Sequence, residues 1–315
     1  MEKNSPCKVN LLLNVLGKRP DGFHELETVL HPINLCDQLT LARGSAGIEL
    51  SCSDANLPAD GRNLVHLAAA AFLQAAKISE GVKIRLEKKI PLAAGLGGGS
   101  GNAATTLLAL NELFGGPLSS ARLNELAGAL GSDVSFFLQD KPALATGRGE
   151  KIQPLDFFPA LRGKAFLLIH PGFGIATPWA YQNLARFPAA LNGRPGRAAE
   201  LIAALQSNFP LTRPSDTLSP TGGEGRGEGA FCSKPHQMQC DNFFYNSLEA
   251  PALEKFPILG LFQEFLRENG ALAALMSGSG STTFAIVENV SSGESLVERF
   301  KAKFGSNCWT AVVPV

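Results

Sequence analysis

Residues 95–101 read GLGGGSG, five glycines in seven positions, set between a stretch that alternates like a strand and a run that repeats like a helix. Glycine inside a helix or strand is costly, so such a cluster marks backbone that turns sharply or lies close against something. Upstream, over residues 82–89, apolar Val82, Ile84 and Leu86 alternate with charged Lys83, Arg85 and Glu87, the pattern of a half-buried strand. Downstream, Ala103, Ala104, Leu107, Leu108 and Leu110 recur at helical spacing as far as Phe114, where Gly115, Gly116 and Pro117 stop the run. A glycine loop that joins a strand to a helix is a ready anion site, because loop N–H groups and the helix N-terminus both present positive potential. A flexible linker is the weaker reading, since ordered patterns flank the glycines on both sides.

Residues 8–16 alternate as well, with Val9, Leu11, Leu13 and Val15 on one face and Lys8, Asn10, Leu12 and Asn14 on the other. The turn-rich GKRPDG follows, then strand-like stretches near 26–30, 39–42 and 48–51, a succession that predicts an antiparallel meander. Helical spacing appears over 63–77, after the glycine loop, and over 119–130, where Gly131 ends it. From about residue 160 the pattern restarts. The expected order is a strand at 165–170, a helix that Thr177 caps ahead of Pro178, helical residues 248–268 broken near Pro257, strands at 271–276 and 282–287, a helix at 294–304 and a strand at 308–313. Strand, helix, strand, strand, helix, strand is the split arrangement of a ferredoxin-like domain. The fold class is therefore α+β, with one domain over 1–158 and a second over 159–315. Residues 213–235, RPSDTLSPTGGEGRGEGAFCSKP, hold almost nothing to bury and are expected to be a disordered insertion.

Lys+Arg and Asp+Glu balance at 28 each, which argues against a nucleic-acid or anionic-membrane partner. The N-terminal MEKNSPCKVNLLLNV carries no basic segment followed by an apolar stretch and a cleavage site, and no run of about 18 apolar residues occurs. The six cysteines form no C-x-x-C pair and read as reduced thiols. A cytoplasmic protein, monomeric or weakly dimeric and acting on a small molecule, is expected.

The glycine loop fits some phosphate chemistries poorly. A Walker A loop needs Gly-Lys-Ser/Thr, and the two Gly-Lys pairs continue as Gly17-Lys18-Arg19 and Gly163-Lys164-Ala165. Gly99, Gly101 and Ala104 do spell the dinucleotide pattern G-x-G-x-x-A, which keeps a nicotinamide-dependent dehydrogenase as a distant alternative. Its context is wrong: the preceding strand is amphipathic, IPLAA intervenes, and no acidic residue stands about 20 positions on to hold a ribose. No G-x-S-x-G elbow of a serine hydrolase is present.

Three blocks, in chain order, carry a resemblance. KVNLLLNVLGKRPDGFHELETVLHPINLCD at 8–37, PLAAGLGGGSGNAA at 91–104 and MSGSGSTTFAI at 276–286 resemble the motifs of the GHMP kinases, the small-molecule kinases named after galactokinase, homoserine kinase, mevalonate kinase and phosphomevalonate kinase. The first block is similar to the opening of those members that act on a cytidyl-diphospho-methylerythritol. The resemblance implies an N-terminal domain like the second domain of ribosomal protein S5, a ferredoxin-like C-terminal domain, and the site between them. It implies ATP and Mg²⁺ as cofactors and transfer of the γ-phosphate to the substrate's 2-hydroxyl, a step toward isoprenoid precursors by the non-mevalonate route. Alternatives are another member kinase, of homoserine or mevalonate type, and an inactive member acting as a binding protein.

By the same resemblance, Pro91, Leu92, Ala93, Ala94, Gly95, Leu96, Gly97, Gly98, Gly99, Ser100 and Gly101 wrap the ATP phosphates, and Asn63 contacts adenine while also standing where a helix N-cap stands. Ser100 either caps its helix or reaches a phosphate or Mg²⁺. Asp133 matches the catalytic aspartate, with Lys8 beside it to orient the carboxylate and offset charge on the transferring group. Asn10, Phe23, His24 and Thr177 match substrate-contacting positions, His24 through the cytosine ring. Phe23 stands where the family usually has Tyr, which leaves a stacking face without a hydroxyl. The glycines of residues 276–281 are expected to fold against the loop at 91–101.

Overall fold

The computed structural model describes residues 1–207, 211 and 243–315; the expected insertion at 213–235 lies outside the described residues. The chain opens with two long strands, β1 (Glu2–Lys18) and β2 (His24–Gly44), paired antiparallel along their whole length around the GKRPDG turn. The stretches near 26–30 and 39–42 are thus two halves of one strand, not successive strands of a meander. Register shifts at Pro6/Cys7, Asn10/Leu12 and Val15/Gly17 let so long a pair bend, as bulges do. The shift at Asn10/Leu12 also breaks the simple alternation of β1: Leu11 and Leu12 are both fully buried.

The free edge of β2 serves two partners. Its C-terminal half takes β4 (Gly81–Glu87) and its N-terminal half takes β5 (Ala143–Gly147), which in turn pairs with β6 (Lys151–Pro154). A second departure from the meander is β3 (Ile48–Cys52), which lies beyond β4 and parallel to it. Parallel neighbours need a crossover, and α1 (Leu64–Ala76) supplies it. With α2 (Gly98–Leu113), α3 (Ser120–Leu130) and the short α4 (Ser132–Phe136), α1 covers this sheet over a core that includes Leu39, Leu41, Phe72, Ile84, Leu107 and Phe136.

The second sheet contains β7 (Ala165–His170), β9 (Ala273–Met276), β10 (Thr283–Val287) and β11 (Trp309–Pro314) in the order β11-β7-β10-β9, all neighbours antiparallel. This is the split order expected of a ferredoxin-like domain. α5 (Thr177–Leu184), α8 (Glu249–Lys255), α9 (Pro257–Glu268) and α10 (Val290–Phe304) pack on one face through Leu167, Ile169, Ala285, Leu259, Phe262 and Phe300. The other face meets the first sheet: Phe166, Leu168, Phe284 and Ile286 share a core with Cys7, Val9, Leu11 and Leu12 of β1. Burial on both faces explains the unbroken apolar run AFLLI in β7. The remaining elements are a 3₁₀ turn (Pro159–Leu161), the helices α6 (Pro188–Leu191) and α7 (Arg197–Gln206), and β8 (Tyr245–Asn246), which adds to the first sheet alongside β1.

α2 begins inside the glycine cluster. Its N-cap is Gly97 in the left-handed conformation (φ 70°), so Gly98, Gly99, Ser100 and Gly101 form the first turn and the loop is shorter than expected. Ser100 is the third helical residue and no side chain caps this end, which removes the capping alternative. Most of the absent side chains make room for protein. A Cβ on Gly95 would collide with the Ser277 carbonyl, and one on Gly101 with the Pro6 carbonyl of β1. A Cβ on Gly97 would stand 3.0 Å from Lys8 Cε. Gly99 alone of the five is exposed with ordinary space around it, its nearest neighbour being Leu64 Cδ1 at 3.7 Å.

Residues 276–281 close over the loop as expected. The Thr282 N–H donates to Ala94 O at 3.1 Å and Ser277 Oγ to Gly95 O at 3.0 Å. Behind them, Asn246 Nδ2 donates to Met276 O (2.7 Å) and Gly278 O (2.8 Å), while Glu249 Oε1 accepts from the Met276 N–H and from Gln263 Nε2, each at 2.7 Å. Burial pushes the Glu249 carboxyl up to about 7 against the pull of the Met276 N–H, Gln263 and the Arg267 charge.

Two outcomes follow from this packing. Gly95→Ala, overpacked and forced left-handed, is expected to lose about 2 kcal/mol or more in denaturant unfolding, whereas Gly99→Ala keeps or gains stability by up to about 1 kcal/mol. Equal losses would refute the distinction between them. Glu249 binds a proton more tightly folded than unfolded, so stability falls as pH rises from 4.5 through about 7. Glu249→Gln should therefore flatten the difference in melting temperature between about pH 5 and about pH 8.

Candidate active site

A cavity of about 1210 Å³ opens beside the glycine loop, with walls from both halves of the chain. Of the residues expected from sequence to form the site, it is lined by Lys8, Asn10, Phe23, His24, Asn63, the segment from Pro91 to Ser100, Asp133 and Thr177. Gly101 is the exception: it is buried against β1, because the helix can approach that strand only where it carries no Cβ.

Lys8 is the centre of the geometry. Its ammonium, on a side chain only 4% exposed, stands 3.4 Å from Asp133 Oδ2 and donates to Asn10 Oδ1 (2.6 Å) and Gly95 O (3.0 Å). Three acceptors match the three donors of an ammonium, which is what a buried cation requires. The partners come from β1, the glycine loop and α4. Asn10 is itself oriented by donating to Thr28 Oγ1 at 2.9 Å, and Thr28 donates to Leu12 O at 2.5 Å. Asp133 remains 39% exposed at the head of α4, so its carboxylate is held by the lysine yet open to the cavity. Asn14, grouped with Lys8 and Asn10 by alternation, lies elsewhere and donates to Glu27 Oε1 and Arg194 O.

At one end of the cavity Asn63 caps α1: Oδ1 accepts the Val65 N–H at 2.9 Å and Nδ2 donates to Pro58 O at 2.8 Å. Leu57, Pro58, Leu64 and Leu86 line the space around it. At the other end Phe23 is 53% exposed, with the Arg148 guanidinium 4.6 Å above its ring. His24 stacks on Tyr181, centroids 5.0 Å apart, and burial together with the Lys18 charge holds its pKa below the ordinary value. Burial and then the Asp133 charge push the Tyr181 phenol upward. Thr177 is the first residue of α5 and not its cap; its hydroxyl instead pairs with Ser279 Oγ at 2.9 Å, joining that helix to residues 276–281.

Sequence reading missed Tyr181, Arg148, Lys18 and Lys88, all of which line the cavity. Two signals were available. Tyr181 stands four residues beyond Thr177 and so shares its helical face. Arg148 is flanked by Gly147 and Gly149, both at positive φ, in a turn that presents a single charged residue. Among the described residues no cluster of three His, Cys, Asp or Glu side chains is placed to hold a metal, and no helix is long and apolar enough to cross a membrane.

The chain has relatives among known proteins. Residues 63–141 match the GHMP kinases N terminal domain and residues 236–306 the GHMP kinases C terminal. A 4-diphosphocytidyl-2-C-methyl-D-erythritol kinase of Syntrophotalea carbinolica is 33% identical over 312 residues, which cover 99% of this chain and 98% of the relative. A crystal structure of 4-(cytidine 5'-diphospho)-2C-methyl-D-erythritol kinase superposes with a TM-score of 0.73 at 32% identity, covering the whole of both chains. A homoserine kinase from Cytophaga hutchinsonii, with a TM-score of 0.70 at 19% identity over 99% of this chain and 93% of its own, shares the fold alone. The dinucleotide pattern in the glycine loop is therefore coincidental: the chain belongs to the 4-diphosphocytidyl-2-C-methyl-D-erythritol kinases of the GHMP kinase family.

Proposed function

We propose that this chain transfers the γ-phosphoryl group of ATP to the 2-hydroxyl of 4-diphosphocytidyl-2-C-methyl-D-erythritol, and that the observation carrying this reading is the Lys8–Asp133 pair at the mouth of the glycine loop. Phosphoryl transfer asks a protein chiefly for positioning and charge stabilisation. Asp133, exposed to the cavity, accepts the proton of the attacking hydroxyl. Lys8 holds that carboxylate in place and balances charge on the transferring group. The first-turn N–H groups of α2, at the positive end of a 16-residue helix, face the phosphates, with Gly99 leaving the approach open.

The apolar space beside Asn63 suits adenine, and that residue's cap role is compatible with an edge contact. The opposite end suits a pyrimidine against His24, Phe23 and Tyr181, with Asn10 and Thr177 beside the acceptor. Arg148 and Lys18 supply positive charge for a diphosphate; among the described residues the charged side-chain nitrogens of neither stand within 4.0 Å of a carboxylate. Arg148 over Phe23 partly replaces the missing tyrosine hydroxyl with a donor of another kind. Mg²⁺ would be held mainly by the substrate phosphates, with the Ser100 hydroxyl on the cavity wall as a protein oxygen within the glycine segment. When bound, it neutralises charge on the phosphate oxygens.

The purified protein with ATP and a panel of alcohols should release ADP with the cytidyl-linked methylerythritol; turnover confined to homoserine or mevalonate would refute the acceptor assignment. Asp133→Asn should lower kcat by about 10²- to 10⁴-fold, with the fold retained because the amide still offers the Lys8 ammonium an oxygen acceptor. Wild-type kcat in that variant would remove the aspartate from the chemistry.

A further inference from the structure

The mechanism leaves unused a second buried charge at the base of the glycine loop, whose partners Lys88 and Asn102 border the cavity. Asp37, on β2, is fully buried, and its carboxylate receives four donors. Oδ1 accepts the backbone N–H of Lys89 (2.7 Å) and of Ile90 (2.9 Å). Oδ2 accepts Asn102 Nδ2 at 3.0 Å and pairs with the Lys88 ammonium, on a side chain 6% exposed. Asn102 in turn donates to Ser5 Oγ at 2.9 Å and accepts from Lys88 Nζ at 3.3 Å.

The origin of these donors matters more than their number. Lys88, Lys89 and Ile90 immediately precede Pro91, and Asn102 immediately follows Gly101. One carboxylate therefore grips both ends of the glycine segment, the exit from β4 on one side and the second turn of α2 on the other. The Lys88 ammonium it holds lies 3.4 Å from where a Cβ of Gly98, the first residue of α2, would stand. Stability alone does not call for such an arrangement, since well-packed apolar side chains commonly replace a buried ion pair without loss. What four directed bonds supply and apolar contacts do not is a defined spacing between two backbone segments.

We infer that Asp37 is a positioning residue for nucleotide binding: it clasps the two ends of the glycine segment and so sets the aim of the α2 N-terminus. The inference rests on the proposed ATP reading of that segment, though not on the identity of the acceptor alcohol. Asp37→Asn keeps the shape and one acceptor oxygen but turns an amide toward Lys88 and Asn102. ATP affinity is expected to weaken about tenfold or more, because misplacement on the scale of an ångström carries penalties of that order. The KM for the acceptor should stay within about twofold, because its half of the cavity does not touch the clasp.

ATP binding is measured by calorimetry and KM(ATP) by turnover, so an error in the acceptor assignment leaves the calorimetric arm intact. Failure of the wild-type protein to bind ATP would overturn the ATP reading and this inference with it. If the wild-type protein binds ATP, unchanged affinity in the variant overturns the clasp alone. Parallel weakening toward both substrates would mark a merely structural role and overturn it too. Asn102→Ala removes the α2 side of the clasp while leaving the carboxylate its Lys88 partner and backbone bonds. Should Asp37→Asn fail to fold, the same selective loss of ATP affinity in Asn102→Ala supports the clasp, and its absence there refutes it.

Discussion

Much of the architecture follows from the need to keep one ammonium group, that of Lys8, out of water and fully bonded. A buried cation is tolerated only when oppositely charged or carbonyl partners meet it in good geometry. Here the partners come from far apart in sequence: Asn10 from the same strand, Gly95 from the glycine loop and Asp133 from α4. The glycines around the group answer to it directly. A Cβ on Gly97 would press on the lysine stem, and one on Gly278 would stand 3.3 Å from its Nζ.

That convergence depends in turn on how the two sheets meet. Strands β7, β9 and β10 carry apolar side chains on both faces, so the second sheet buries one side under its own helices and the other against β1. The loop at residues 276–281 is thereby brought over the glycine loop, where Ser277 and Thr282 bond it in place. Asn246 and Glu249 hold that second loop from behind. The Met276, Ser277 and Gly280 N–H groups and the Met276, Ser277 and Gly278 carbonyls are bonded within the protein, as buried backbone generally is.

Local rules were reliable where one face of an element meets water. The alternation of β4, the Asn63 cap and the ends of α3 at Ser119 and Gly131 could all be read directly, because pattern and capping are determined within a few residues. They failed where a distant neighbour intervened. Bulges re-phase β1 only because β2 pairs along its whole length. The parallel placement of β3 depends on a helix crossing the sheet. For Tyr181 and Arg148 the i,i+4 step and the Gly-Arg-Gly turn point to a face and a turn, but which cavity these border is decided by how distant elements pack.

By itself, the sequence determined that a strand, a glycine-rich turn and a helix would form within residues 82–114, that a split α/β unit would follow, and that Lys8 and Asp133 were worth pairing. It also suggested, wrongly in emphasis, that the glycines exist mainly to admit a ligand. Only the tertiary structure decided that Gly95, Gly97 and Gly101 make room for Ser277, Lys8 and Pro6, leaving Gly99 as the open approach. The reason is physical: conformational preference is local, but whether a missing side chain faces solvent, ligand or another stretch of backbone depends on packing between segments that the chain brings together only when folded.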